Sequence, residues 1–209
     1  VKGGAVETLV NNLINENEKN FSLEFTVISI YDKTAKEQSE KYKNTSFKYV
    51  KIPFAELIEK FKAKFTKNTF FNKVVRKILS YNSFLYAHQA YKFVNGKNYD
   101  YILIEGGNPF DYKKILECFG KEKCICHLHG NSSGSQLYKK FFTYFIAISN
   151  FVKQKFIENG IINSSQVYVV NNGIEIEKFD KKMNQLEKSF ERKKYNMSDE
   201  DFIIEFCGR

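Results

Sequence analysis

Tryptophan is absent from this 209-residue chain, and proline, methionine, histidine and cysteine number two, two, three and four. The cysteines are Cys118, Cys124, Cys126 and Cys207. Two of them stand one residue apart in an apolar run with the character of a strand. A disulfide framework is therefore excluded, and all four are expected to be reduced in a cytoplasmic chain. No run approaches the ~18 consecutive apolar residues of a membrane-spanning helix. No signal-peptide pattern is visible from Val1 onward, and the sequence holds neither an internal repeat nor a low-complexity segment. Gly3-Gly4 has neither the GxGxxG spacing of a dinucleotide site nor the Gly-Lys-Ser/Thr of a P-loop.

What is present is an ordinary globular composition, 43% hydrophobic and 27% charged, with a formal net charge of +9 that invites an anionic partner. Val6, Leu9, Val10, Leu13 and Ile14 share one face of a helix over 5–16. Strand-like runs follow at 25–30 (FTVISI) and 47–52 (FKYVKI). Helical patterns then cover 54–65 and 70–93, where Phe70, Val74, Ile78, Tyr81, Leu85 and His88 form a stripe. Further strand runs at 101–104, 123–129, 144–149 and 166–170 alternate with helix-length segments. Short, continuously apolar strands spaced in this way predict an α/β fold: a Rossmann-like parallel sheet with helices on both faces. The NNG at 171–173 is a turn signal, and the polar helical segment after it has the texture of a linker leading to a strand at 201–209. The expected organisation is one domain over 1–173, then a linker and the start of a second over 174–209.

Chemistry concentrates in three places. Gly3 and Gly4 precede a helix, whose N-terminus carries about half a positive charge and can receive a phosphate; the pair equally suits a tight turn. In CICHLHG, period-two alternation puts Cys124 and Cys126 on one face and His127 and His129 on the other, which rules against a single Cys/His zinc site. The histidines could pair on a metal, but no third ligand is evident from the sequence. His129 stands at the carboxyl end of a strand, where ligands bind in open α/β sheets. Glu105, Asn108 and Ser149 hold equivalent positions on neighbouring strands. His88, in a helical stripe, reads as packing. The third place is a basic stretch. From Lys60 to Tyr99 there is no acidic residue, but there are Lys60, Lys62, Lys64, Lys67, Lys73, Arg76, Lys77, Lys92 and Lys97, interleaved with aromatic residues. Such a helix suits an anionic membrane surface, where each cation contributes about 1 kcal/mol. It equally suits a solvated face over an aromatic core.

Taken in order, GGAVETLVNNL, YDYILIEGGNP, CICHLHG, FIAISNFVKQKFIENGI, VYVVNNGIEIEKF and FIIEFCGR resemble the motif series of family-4 (group 1) glycosyltransferases of the GT-B fold. The resemblance covers nearly the whole chain. It implies two Rossmann-like domains around a cleft and transfer of a sugar from a nucleotide-sugar donor to an acceptor with retention. No metal cofactor is implied. Position by position, Gly3 and Gly4 match the loop that approaches the donor diphosphate. His129 matches the histidine near the acceptor and transferred sugar, and Arg209 an arginine that stabilises the leaving diphosphate. Glu7 matches a recurring acid after the glycine loop, and Asn172-Gly173 the interdomain turn. Family members place a strand before the glycine loop and a lysine and a Glu motif after Gly-Arg. Residues 1–209 are thus expected to be the amino-terminal, acceptor-binding part, inactive alone.

The resemblance also makes 54–93 a candidate docking surface for the inner face of the cell membrane and a lipid-linked or polysaccharide acceptor, with nucleic acid not expected as a partner. Two other classes fit the same motifs. One is a non-catalytic membrane-docking subunit of a two-chain transferase; the other is a sugar-nucleotide epimerase of related fold.

Overall fold

A computed structural model of the chain describes residues 4–53, 69–106, 108–130, 137–174, 176 and 182–204, with side-chain surroundings for all of these except 69–74, 76 and 137. Gly3, Lys60, Lys62, Lys64, Lys67, Arg209 and the helical pattern at 54–65 lie outside the described residues, as do the side chains of Lys73 and Arg76. The described chain falls into two compact units, 1–173 and 174–209.

In the first unit, helix α1 (Ala5–Asn20) begins at Gly4, with Glu7 in its first turn and Lys19 in its last, both complementing the helix dipole. It ends where Phe21 adopts a left-handed conformation, φ 51°. That conformation is unfavourable for a residue with a Cβ, and Asn17 helps to hold it. The buried Asn17 amide donates to the Leu23 carbonyl at 2.8 Å and accepts from the Leu23 N–H at 3.0 Å, pinning the chain as it enters β1 (Phe25–Ile30). At the next residue of α1, Glu18 accepts from the backbone N–H groups of Lys43 and Asn44 and from the Thr45 hydroxyl, fixing the start of β2 (Thr45–Val50). Helix α2 (Lys33–Ser39), capped by the Asp32 carboxylate, connects the two strands.

The strands are parallel, as the apolar runs predict, but among the described residues they divide into two sheets. β1 pairs with β2, and β3 (Ile102–Ile104), β4 (Cys124–Leu128), β5 (Tyr144–Ala147) and β6 (Val167–Val169) pair in chain order. Helices α4 (Lys113–Phe119), α5 (Leu137–Phe141) and α6 (Asn150–Glu158) connect the strands of the larger sheet. Along β4, Cys124, Cys126 and Leu128 are buried while Ile125 and His127 are less so. The buried row packs with Phe145, Ala147, Val167, Leu116, Phe142 and Phe156 into one core. The opposite face bears Leu103, Tyr144 and Tyr168, which stay exposed at 38%, 41% and 58%.

Helix α3 (Thr69–Val94) ties the sheets together. Its Ala90 and Val94, with Ile115 of α4, form a cluster that takes in Ile28 of β1 and Ile102 of β3. The register of β1 adds a polar tie. Phe25 and Tyr31 direct their N–H groups toward the β2 side, to Asn44 and Val50. In a parallel strand alternate residues point their backbone to opposite edges, so the Ile28 carbonyl lies on the edge away from β2. The Tyr86 hydroxyl donates to it at 2.7 Å. Burial, reinforced by Tyr112, pushes the Tyr86 phenol well above its ordinary range, so it stays a donor.

Three sequence expectations change. The inward seam of α3 is Val75, Ala87, Ala90 and Val94, whereas Tyr81 of the expected stripe is 59% exposed. Small residues let the helix approach the strands closely, and the larger ones turn outward. On α1, Ile14 and Asn17 are buried but Leu13 is exposed. Finally, of the strand expected over 201–209 only 201–204 are described; they form no strand and lie exposed, since no described strand pairs with them and unpaired extended backbone gains nothing over hydration. In this second unit the ordered element is α7 (Gln185–Lys194), started by a reciprocal Asn184/Glu187 cap. The Arg192 guanidinium gathers the carbonyls of Ser198, Asp199 and Asp201 beneath it.

Tyr86→Phe leaves the Ile28 carbonyl without its donor and is expected to lower stability by about 1–3 kcal/mol. Tyr81→Phe, at an exposed position, leaves it unchanged; the midpoints of urea denaturation compare the two.

Candidate functional site

Register builds the site. Ile104 of β3 stands opposite Cys126 of β4, so the next residues, Glu105 and His127, are neighbours just past the end of β3. Alternation puts His129 on the same face as His127, two residues on. The side chains meet there: His127 Nδ1 lies 2.9 Å and His129 Nε2 3.0 Å from the same carboxylate oxygen, Glu105 Oε2. The imidazole rings are 4.2 Å apart, centre to centre. All three side chains are mostly buried, at 13% exposure for His127, 17% for His129 and 22% for Glu105.

This geometry selects tautomers. A carboxylate accepts only, so a neutral His127 must carry its proton on Nδ1, and a neutral His129 on Nε2. His127 Nε2 is then a buried acceptor with no partner among the described residues, and His129 keeps a lone pair on Nδ1. Burial alone would raise the Glu105 pKa. The hydrogen bonds and positive charge of His127 and His129 together outweigh it and hold the carboxyl below its ordinary value. Glu105 is thus an anion that fixes the orientation of two imidazoles at the carboxyl ends of parallel strands.

The first turn of α1 lies beside the residue that follows Glu105. A Cβ added to Gly106 would stand 3.9 Å from Val6 Cγ1, which puts the first turn of α1 beside the end of β3. Gly4 makes no side-chain cap, and a Cβ there would come within 3.1 Å of Glu7 Oε2. The first N–H groups of a helix have no partner inside it.

The remaining expected site residues have other partners. Asn108 caps the short helical turn at Pro109–Tyr112, accepting from Phe110 N–H and donating to Asp111. Ser149 caps α6 through Val152 N–H at 3.2 Å. Asn172 is exposed in the irregular 171–174 stretch. His127 belongs to the cluster and sequence reasoning left it out of the site. Its signal was the shared face with His129; its link to Glu105 needed the β3–β4 register. Cys124 and Cys126 face the core, and burial raises their thiols to about 11 and about 12, Glu122 and Glu105 adding to the effect, so both are inert thiols.

Comparison with family models, curated proteins and solved structures finds no match to this chain.

Because the folded-state pKa of Glu105 is depressed, its contribution to stability is complete above the unfolded value, about 4.3, and is lost as pH falls through the lower folded value. Glu105→Gln is therefore expected to be less stable than the parent at neutral pH, with a gap that closes below about pH 4. Denaturation midpoints across the acid range test this; a gap independent of pH would show that the ionised carboxylate is not what the histidines hold.

Proposed function

We propose that this chain is the acceptor-side, Rossmann-like part of a retaining hexosyltransferase that uses a nucleotide-sugar donor. The observation that supports the reading is the Glu105–His127–His129 cluster at the carboxyl ends of parallel strands, with the first turn of α1, which starts uncapped at Gly4, beside the adjacent Gly106 through Val6. Open α/β sheets bind ligands at those strand ends, and a helix N-terminus receives phosphate. The motif series of the sequence points to the same chemistry.

In the reaction so proposed, the bond between the anomeric carbon and the diphosphate breaks, and the acceptor hydroxyl attacks from the same face. Its proton passes to the departing phosphate oxygen. Gly4 and the first N–H groups of α1 hold the diphosphate; for Gly3 and Arg209 the roles, in the same loop and on the growing charge, are those that the motif resemblance implies. Donors placed in advance for such charge are a large catalytic contribution. His129 orients the sugar or acceptor through its free Nδ1, its ring fixed by Glu105, and is not assigned as a general base. No step of the transfer is assigned to a metal ion.

The acceptor reading rests on α3. Lys77, Tyr81 and Phe84 recur at helical spacing on its outward side, and Phe84, 60% exposed, stacks on His88 at 6.2 Å. Aromatic rings beside lysines suit an anionic bilayer, the surface on which a lipid-linked acceptor would be met. No described helix is long and apolar enough to cross a membrane, so the attachment proposed is peripheral.

Sugar transfer from labelled uridine and guanosine diphosphate sugars to lipid extracts, measured on the complete gene product, tests the enzymatic reading. His129→Ala is expected to lower transfer at least about 100-fold; no transfer from any donor would overturn it, and lipid binding without transfer is the result a docking subunit gives. Sedimentation with anionic against neutral vesicles tests the surface. Binding confined to anionic vesicles, weakened by salt, and abolished by Glu at Lys60, Lys62, Lys64, Lys67, Lys73, Arg76 and Lys77 is expected. Without binding, the region is a solvated basic face.

A further inference from the structure

Two imidazoles and a carboxylate that converge on one point are a ligand set as well as a hydrogen-bonded cluster. His127, His129 and Glu105 each present one ligand atom, and these atoms all lie within 4.8 Å of one another. We propose that the three side chains form a binding site for one divalent transition-metal ion of the zinc class, with His127 Nδ1, His129 Nε2 and Glu105 Oε2 as ligands.

Distances support the assignment. Ligand atoms at ordinary zinc bond lengths, about 2.0–2.2 Å in a tetrahedral site, stand about 3.3 Å from one another. The two imidazole nitrogens are already 2.9 Å and 3.0 Å from the carboxylate oxygen. Admitting an ion asks these two pairs to open by about 0.4 Å, and the two nitrogens, which lie within 4.8 Å of each other, to settle at the same spacing, movements that side-chain rotation supplies. Glu105 follows a strand end, so its side chain can move without breaking the ladder. Metal would replace the two N–H···O bonds: the proton on His127 moves to Nε2, that on His129 moves to Nδ1, and neutral rings release none; with the ion bound, His129 would meet a sugar oxygen as an Nδ1–H donor instead of through a lone pair.

The donor set also selects the class. Magnesium and calcium take oxygen ligands, whereas imidazole suits zinc, iron, cobalt and nickel. Thiolate is excluded from the set, because Cys124 and Cys126 lie on the buried face of β4. Three protein ligands leave at least one position open, as in a site that exchanges ligands. His127 Nε2 has no partner among the described residues, so there one ring lacks the outer hydrogen bond that strengthens most metal-bound histidines. Micromolar affinity is expected, below that of a structural zinc.

The test needs metal alone, so its outcome is independent of the sugar-transfer reading. The chain holds three histidines, and their ring proton resonances can be followed during titration with zinc at neutral pH. The signals of His127 and His129 are expected to move together and saturate at one ion per chain, while that of His88 stays fixed. Cobalt should give visible d–d bands without sulfur charge transfer. His129→Asn, His127→Asn and Glu105→Gln should each weaken uptake at least about 10-fold in a chelator competition; a circular dichroism melt establishes that each variant is folded. Uptake that leaves the His127 and His129 signals unmoved, thiolate bands with cobalt, or the absence of stoichiometric uptake would each overturn the proposal. If a variant does not fold, the parent resonances alone decide.

Discussion

The pairing of Ile104 with Cys126 is the constraint on which the rest of the larger sheet depends. Strand side chains alternate faces, so this single register decides two outcomes at once. It sends Ile104, Cys124, Cys126 and Leu128 into the core with the phenylalanines of α5, β5 and α6. It also brings Glu105 beside His127 and His129 on the other side. A slip by one residue would bury the imidazoles among aromatic rings and expose the thiols. Core and site are thus specified together, and the cost of a misplaced charge protects the geometry of the cluster.

Polar groups secure the places where apolar packing is thin. Asn17 acts as a short stretch of strand for Leu23, Glu18 collects the amides that lead into β2, and Tyr86 satisfies the outer edge of β1. Glu18 and Tyr86 join elements distant in sequence, Asn17 the end of α1 to the entry of β1, and each satisfies a backbone group that would otherwise face a partly buried environment unpaired. The same device recurs in the second unit, where Arg192 organises the loop after α7.

Much of this was legible in the sequence. FTVISI is a strand at the residues read, because aromatic and β-branched residues fill five of its six positions. The second strand was read two residues late, starting at Phe47 instead of Thr45. Thr45 is polar yet buried, and only the distant Glu18 makes that tolerable. The inward seam of α3 escaped notice because alanines carry little weight in a hydrophobic pattern, although they set how closely a helix can approach. For the site, alternation gave the two histidines a common face. Their carboxylate lies in another strand run, and which residue of one parallel strand meets which of the next is a fact of three-dimensional packing.

The division into two sheets has a consequence for how the molecule breathes. β1 and β2 carry few fully buried side chains, Val50 and Thr45 among them, whereas β4 and β5 lie over a dense aromatic core. Amide exchange in the smaller sheet is therefore governed by partial opening, in which α3 releases Ile28 while the larger sheet stays closed. The cluster at Glu105 lies on the slow side of that boundary. The first turn of α1 lies beside it, on a helix that is anchored through Glu18 to the fast side. Motion of the less stable half would reach the more stable one as a displacement of the glycine turn over an unmoving pair of imidazoles.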